Sequence, residues 1–294
     1  MSEIQNVAIV GGTHGNEFTG IVLLKNWQKK QELISRPSLN CETLFANPKA
    51  YEANRRYLDS DLNRQFSLTS LADNTLTNYE QSRAKVINSQ LGPKGNSRID
   101  FIIDLHNTTS NMGPCLMLCK ADDFNKKLGA YIKKSMPEAN IIFDNIPGGS
   151  DQNYLSSISP QGVTIEVGPQ PQSVIRQDIL ESMSMMTHLL LDYLEMTNTK
   201  KLPKLPVSYE AFQYVETLEL PMDNKGARIG MIHKDLQDND FKLLKKGDAI
   251  FTLFSGEEIF YQGDYDAFPH FVNEAAYYDN NLAMSLSKKF SISI

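Results

Sequence analysis

Two histidines and two glutamates stand where a folded chain gathers ligands. Gly11-Gly12-Thr13-His14-Gly15-Asn16-Glu17 follows directly on the apolar run Asn6 to Val10, and Asp104-Leu105-His106 closes a second apolar run beginning at Phe101. In open α/β sheets, ligands collect outside the carboxyl ends of the strands. His14 and Glu17 lie three apart where a loop enters a helix, which lets an imidazole nitrogen and a carboxylate oxygen converge on one metal ion. His106 is placed to supply a third ligand, and a catalytic zinc takes three protein ligands and keeps a fourth position for water. The plainer reading is a glycine-rich turn with a helix-capping residue and a satisfied strand-end histidine; the two segments together argue for metal. Asp104, two residues before His106, shares its strand face. It can accept the other ring N–H of a ligating histidine.

A metal alone does not hydrolyse an amide, because a base must take a proton from the attacking water. Glu166 sits in the apolar run Val163 to Val167. A buried unpaired carboxylate is costly, so it needs a partner or a purpose. Desolvation would raise its pKa toward the range useful for shuttling a proton; a structural salt bridge is the bland alternative. Asn54 to Arg64 is dense in arginine and other polar groups. Arginine's planar fork suits a carboxylate and can steady an oxyanion, although such a loop is usually just a solvated surface. His188, His233 and His270 have weaker contexts and read as structural.

Alternating strands and helices must position these residues. Strands are expected at Asn6 to Val10, Thr43 to Ala46, Phe101 to Leu105, Cys115 to Leu118, Ile141 to Phe143 and Val163 to Val167. Helices are expected at Glu17 to Lys29, Phe124 to Lys134 and Ile175 to Leu194. Near-continuous apolar strands separated by helices imply a mostly parallel sheet covered on both faces. The basic, proline-punctuated stretch Lys200 to Pro206 then reads as a linker. Beyond it, short strands such as Tyr209 to Thr217 and Ala249 to Leu253 lie between turn signals, the pattern of a smaller, mainly β unit. The expected division is a catalytic α/β domain over residues 1–200 and a mainly β domain over 201–294 that roofs the active site.

Composition narrows the function classes. The 294 residues are 41% hydrophobic, ample for a core, and carry a formal net charge of −6 from 29 basic and 35 acidic residues. That balance argues against nucleic acid, whose phosphates need a basic face, but a few arginines can still make a local pocket for a small anion. No apolar stretch is long enough to span a bilayer and no secretory leader pattern opens the chain, so a cytoplasmic, non-membrane protein is expected. Cys41, Cys115 and Cys119 read as reduced, mostly buried thiols.

Taken in order, several segments resemble the aspartoacylase branch of the succinylglutamate desuccinylase/aspartoacylase family, relatives of the zinc carboxypeptidases. They are Gly11 to Glu17, Asp61-Leu62-Asn63-Arg64, Asp104 to Gly113, Ile165 to Gln172 and Phe271 to Tyr278. The resemblance implies a carboxypeptidase-like mixed sheet flanked by helices, roofed by a smaller β domain. It implies one zinc per subunit on His14, Glu17 and His106, Glu166 as general base, and Arg56 as the group that polarises the acyl carbonyl. Asn63, Arg64 and Tyr277 then match the residues that hold the substrate's α-carboxylate, and the family suggests a homodimer.

The sequence departs from the pattern at two places. Ser156 stands where aspartoacylases from animals carry an arginine for the β-carboxylate of aspartate, and Asn281 stands where a lysine is expected. Lys126, Lys127 or another basic residue is the expected substitute. The expected activity is metal-dependent hydrolysis of a small anionic N-acyl amino acid at its linear amide bond, with N-acetyl-L-aspartate giving acetate and L-aspartate. The alternative is the family's aminoacylase activity on N-acyl aromatic amino acids or mercapturates. A peptide carboxypeptidase is disfavoured by the roof, and a non-catalytic zinc- or ligand-binding protein by the intact ligand set.

Overall fold

The computed structural model describes residues 3–144 and 152–294. From the amino terminus, β1 (Asn6–Gly11) leads to α1 (Phe18–Lys29), β2 (Asn40–Phe45), the short α2 (Pro48–Glu52) and α3 (Leu68–Ala72), and α4 (Tyr79–Leu91). There follow β3 (Phe101–Asn107), β4 (Gly113–Leu118), α5 (Asp123–Ser135), β5 (Asn140–Phe143), β6 (Gln161–Gly168) and α6 (Gln177–Asn198). The last third adds β7 (Ser208–Glu219), β8 (Gly230–Ile232), β9 (Ala249–Leu253), β10 (Glu258–Phe260), β11 (Phe268–His270) and β12 (Leu282–Ser293).

Nine strands make one sheet in the order β11-β12-β7-β5-β4-β6-β3-β1-β2, and β10-β9-β8 make a second, three-stranded one. β2, β1, β3 and β6 run parallel, but β4 enters antiparallel to β6, so the large sheet is mixed where alternating strands and helices had implied a mostly parallel one. β5 and β7 continue parallel to β4, and β12 and β11 close that edge antiparallel. The carboxyl-terminal third therefore extends the large sheet through the β5–β7 pairing as well as forming its own small sheet. Leu244, Ile250, Phe251 and Met284 are among the residues that pack the core of this end.

Side-chain alternation decides which face holds chemistry. Val7, Ile9, Phe101, Ile103, Leu105, Val163, Ile165 and Val167 point to the face covered by α1, α5 and α6. Ala8, Val10 and Ile102 point the other way, against Ala84, Ile87 and Leu91 of α4. His106 and Glu166 fall on that second face, and the register sets them directly opposite each other on β3 and β6. The sequence reading had no helix at α4. Its polar surface hides a stripe at Ala84, Ile87 and Leu91, and it opens on a capping box formed by Asn78 and Gln81.

Candidate metal centre and cavity

Glu17 occupies the residue before α1, yet its carboxylate caps nothing. It turns instead into the sheet's end, with Oε1 2.6 Å from His14 Nδ1 and Oε2 3.0 Å from His106 Nδ1. The Asn107 N–H also donates to Oε2. The two Nδ1 atoms lie 3.2 Å apart. The outer nitrogens face carboxylates: His14 Nε2 is 3.1 Å from Asp61 Oδ1. His106 Nε2 is 2.8 Å from Asp104 Oδ2, without the alignment of a hydrogen bond. Asp104 is itself held by the Thr13 hydroxyl. With a carboxylate beside each outer nitrogen, both rings can carry the N–H outward and offer Nδ1 to the centre. The three buried donors lie within 4.8 Å of one another. That set fits a divalent cation.

Electrostatics agree. Burial raises the Glu17 carboxyl, but His14 and His106 outweigh it and hold it well below the usual carboxylate range. Burial likewise raises Asp61, and His14 and Arg56 overcome it. Burial disfavours a charged His106, yet Asp104 and Glu17 lift it well above an ordinary histidine. A position this electronegative holds positive charge, whether proton or metal.

Backbone packing fixes the centre. A Cβ on Gly15 would lie 2.2 Å from the Ala50 carbonyl carbon and the Tyr51 nitrogen, and the Gly15 N–H donates to the Arg56 carbonyl. The His14 loop is thus pressed against the segment that carries Arg56. The buried Glu80 of α4 accepts the N–H groups of Leu58, Asp59 and Ser60, which clamps the rest of that segment. Arg56 bridges Glu17 Oε1 and Asp61 Oδ2, each at 3.1 Å, so its guanidinium borders the donor cluster.

A cavity of about 440 Å³ opens from this cluster. Glu166 lines it, opposite His106, with burial driving its carboxyl well above the ordinary range. His106 and Arg56 pull it down, while Glu17 and Glu274 push it further up. Asn63, Arg64 and Tyr277 line it as well. Asn63 Oδ1 accepts from the Leu155 N–H, Arg64 lies over the Tyr154 ring, and the Tyr277 hydroxyl pairs with Ser285. All the residues singled out in the sequence for metal, base and substrate therefore face one space, apart from Asp104 behind His106.

Other expectations fare differently. Ser156 is buried outside the cavity wall, and Asn281 caps a turn with its Oδ1 accepting from Arg228 Nε. Lys126 and Lys127 lie on α5 away from the wall, so Arg56 and Arg64 are the cavity's lysines and arginines among the described residues. Residues 145–151 contain neither lysine nor arginine. His270, read as structural, lines the wall stacked on Phe241, and burial pulls it down to about 4. His188 packs on Trp27 and His233 against Glu258. The cysteines are unpaired.

Two contributors escaped sequence reading. Asp61 was seen only as part of a motif, and it backs His14 and Arg56 together. Glu274, buried in the carboxyl-terminal third, accepts from Thr109 N–H at 2.7 Å and Thr109 Oγ1 at 3.0 Å, and from the Thr108 hydroxyl. It ties the loop after His106 to the turn that carries Tyr277. A polar cluster at Asn273-Glu274 gives no such signal by itself, since its partners lie more than 160 residues away.

Comparison with known proteins gives the same picture. Residues 3–194 match the succinylglutamate desuccinylase/aspartoacylase catalytic domain, and residues 207–289 the AstE/AspA barrel-sandwich hybrid domain. A probable aspartoacylase of Trichodesmium erythraeum is 41% identical over the whole of both chains. The rat N-acyl-aromatic-L-amino acid amidohydrolase (carboxylate-forming) is 40% identical over 98% of this chain and 92% of its own length. The crystal structure of murine aminoacylase 3 superposes with a TM-score of 0.94 at 37% identity, over 100% of this chain and 98% of that one.

Proposed function

Because the chain belongs to the succinylglutamate desuccinylase/aspartoacylase family of hydrolases, we propose that it is a zinc-dependent deacylase of N-acyl amino acids with neutral, chiefly aromatic side chains. His14, Glu17 and His106 would hold the metal, which when bound would supply Lewis-acid chemistry at the acyl carbonyl. Glu166 takes a proton from the attacking water as the water oxygen adds to the acyl carbon. The Arg56 guanidinium faces the oxyanion that develops there. Glu166 then returns the proton to the nitrogen, the C–N bond breaks, and a carboxylic acid and a free amino acid leave. Asn63, Arg64 and the Tyr277 phenol, which burial keeps protonated, hold the α-carboxylate. Homodimerisation is carried over from the family resemblance.

The observation that carries this reading is the register pairing of Glu166 with His106, which sets a buried carboxyl beside the three-donor cluster in one cavity. The side-chain preference is supported by the rest of the wall. Met117, Ile142, Tyr154, Tyr214 and Phe271 line it, and on this reading Arg56 and Arg64 serve the acyl and α-carboxylate ends. A second substrate carboxylate would lack a cationic partner.

The test measures free amino acid released from N-acetyl-tyrosine and N-acetyl-aspartate, side by side, with zinc-loaded and chelated protein. Turnover is expected only with metal, and faster on tyrosine. Glu166→Gln should lose about 10²–10⁴-fold in kcat with zinc content unchanged. Near-normal turnover by zinc-loaded Glu166→Gln would overturn the mechanism. A preference for aspartate would overturn the substrate class.

A further inference from the structure

The far wall of the same cavity carries a carboxylate that the chemistry above leaves unused. Asp144 follows β5, where its N–H donates to the Leu118 carbonyl at 2.9 Å, and it lines the cavity beside Cys119, Tyr154 and Tyr214. Four hydroxyls of the cavity pair with one another. Tyr214 pairs with Thr217 at 3.0 Å, Thr217 with Ser285 at 3.2 Å, and Ser285 with Tyr277 at 3.1 Å. Arg64 gives a hydrogen bond to the Asn63 carbonyl and lies over Tyr154. Among the described residues, no hydrogen bond or ion pair reaches the Asp144 carboxylate. The Arg64 guanidinium acts on it through space, and Met117, Ile142, Tyr154 and Tyr214 share the lining with it.

A half-buried carboxylate in a cavity wall shared with apolar and aromatic side chains favours an occupant with a hydrogen-bond donor beside it, since hydrogen bonds to charged groups are the strong ones. It repels another carboxylate for the same reason. Resting on the deacylase reading, we propose that Asp144 selects the substrate side chain. The cavity takes N-acyl amino acids with an apolar body and a hydrogen-bond-donating tip, such as a phenol or an imidazole, and rejects those ending in a carboxylate.

The experiment compares kcat/KM for the N-acetyl derivatives of tyrosine, phenylalanine, histidine and aspartate, using zinc-loaded wild type, Asp144→Asn and Asp144→Leu. Calorimetry of binding accompanies each pair. Wild type should prefer tyrosine to phenylalanine by about ten- to hundred-fold. Asp144→Leu should erase that ratio and raise the relative rate on aspartate. Asp144→Asn, which keeps an acceptor, should retain part of the tyrosine preference while losing any advantage of protonated histidine at low pH. A tyrosine-to-phenylalanine ratio that survives Asp144→Leu overturns the proposal. So does an equal loss on every substrate, because that would make Asp144 a positioning residue for Arg64. If no substrate turns over, the deacylase reading fails. The selectivity proposal then stands or falls on whether Asp144→Leu abolishes a binding preference for tyrosine over phenylalanine.

Discussion

Replacing Glu274 with alanine should weaken both the fold and the site, and the size of the loss follows from its partners. Oε2 takes the Thr109 N–H at 2.7 Å, the Thr109 hydroxyl at 3.0 Å and the Thr108 hydroxyl, while Oε1 takes the Ala276 N–H at 3.0 Å. Hydroxyls can rotate to other acceptors, but the Thr109 and Ala276 N–H groups cannot. Each such donor left unpaired away from water costs about 1–3 kcal/mol, so losing both should cost about 2–6 kcal/mol. For a chain of this size that is a fall in Tm of roughly 3–10 °C. His106 stands two residues before Thr108 and Tyr277 three residues after Glu274, so both reacting ends lose their common tether. kcat/KM should therefore fall by about ten- to hundred-fold. Glu274→Gln offers its carbonyl to the Oε2 donors and sets an amide against the Ala276 N–H, which limits the loss to about 1–2 kcal/mol. Thermal melting and steady-state kinetics of the three proteins read both effects. An alanine variant that melts within about 2 °C of wild type, below the range expected for two lost donors, would refute the argument that Glu274 joins the two ends of the site.

Two further outcomes are expected. Asp61→Asn removes the carboxylate behind His14 Nε2 and should weaken zinc affinity by about 10–100-fold; competition against a chromogenic chelator measures it, and an unchanged affinity would dismiss Asp61 as a partner of the ligand. Asp240 is buried, with Oδ2 lacking a hydrogen-bond partner, and burial pushes its carboxyl from 3.8 up to about 7. The folded state thus prefers the protonated acid: its stabilisation is complete below pH 3.8 and is lost as pH rises through about 7. The loss amounts to about 4 kcal/mol at most. Asp240→Asn should flatten this fall in Tm between mildly acidic and alkaline buffer, and an unchanged slope would show that the carboxyl titrates normally.

The chemistry-bearing residues were legible in the sequence because each one violates its local pattern. A histidine and a glutamate after a glycine-rich strand end, a histidine closing an apolar strand and a carboxylate inside another are costly unless used. The strands that carry them were legible for the same reason, since β1, β3 and β6 are buried on both faces and read as unbroken apolar runs. α4 was not, because its apolar stripe is thin among glutamine, asparagine, serine and lysine. The antiparallel entry of β4 was not either, since a strand's own residues do not state the direction of its neighbour.

The sequence by itself set out the candidate donor set, the candidate base and most of the strands and helices that present them. Tertiary structure alone decided three things. It set Glu166 opposite His106, because register between β3 and β6 is a pairing of distant segments. It brought Asp61 behind His14 and Glu274 beneath the Thr108–Thr109 turn, contacts across 47 and more than 160 residues. It left Ser156 buried away from the cavity while placing Asp144 in its wall. Which side chains share a cavity depends on the path of the chain through space, and spacing along one segment does not carry that information.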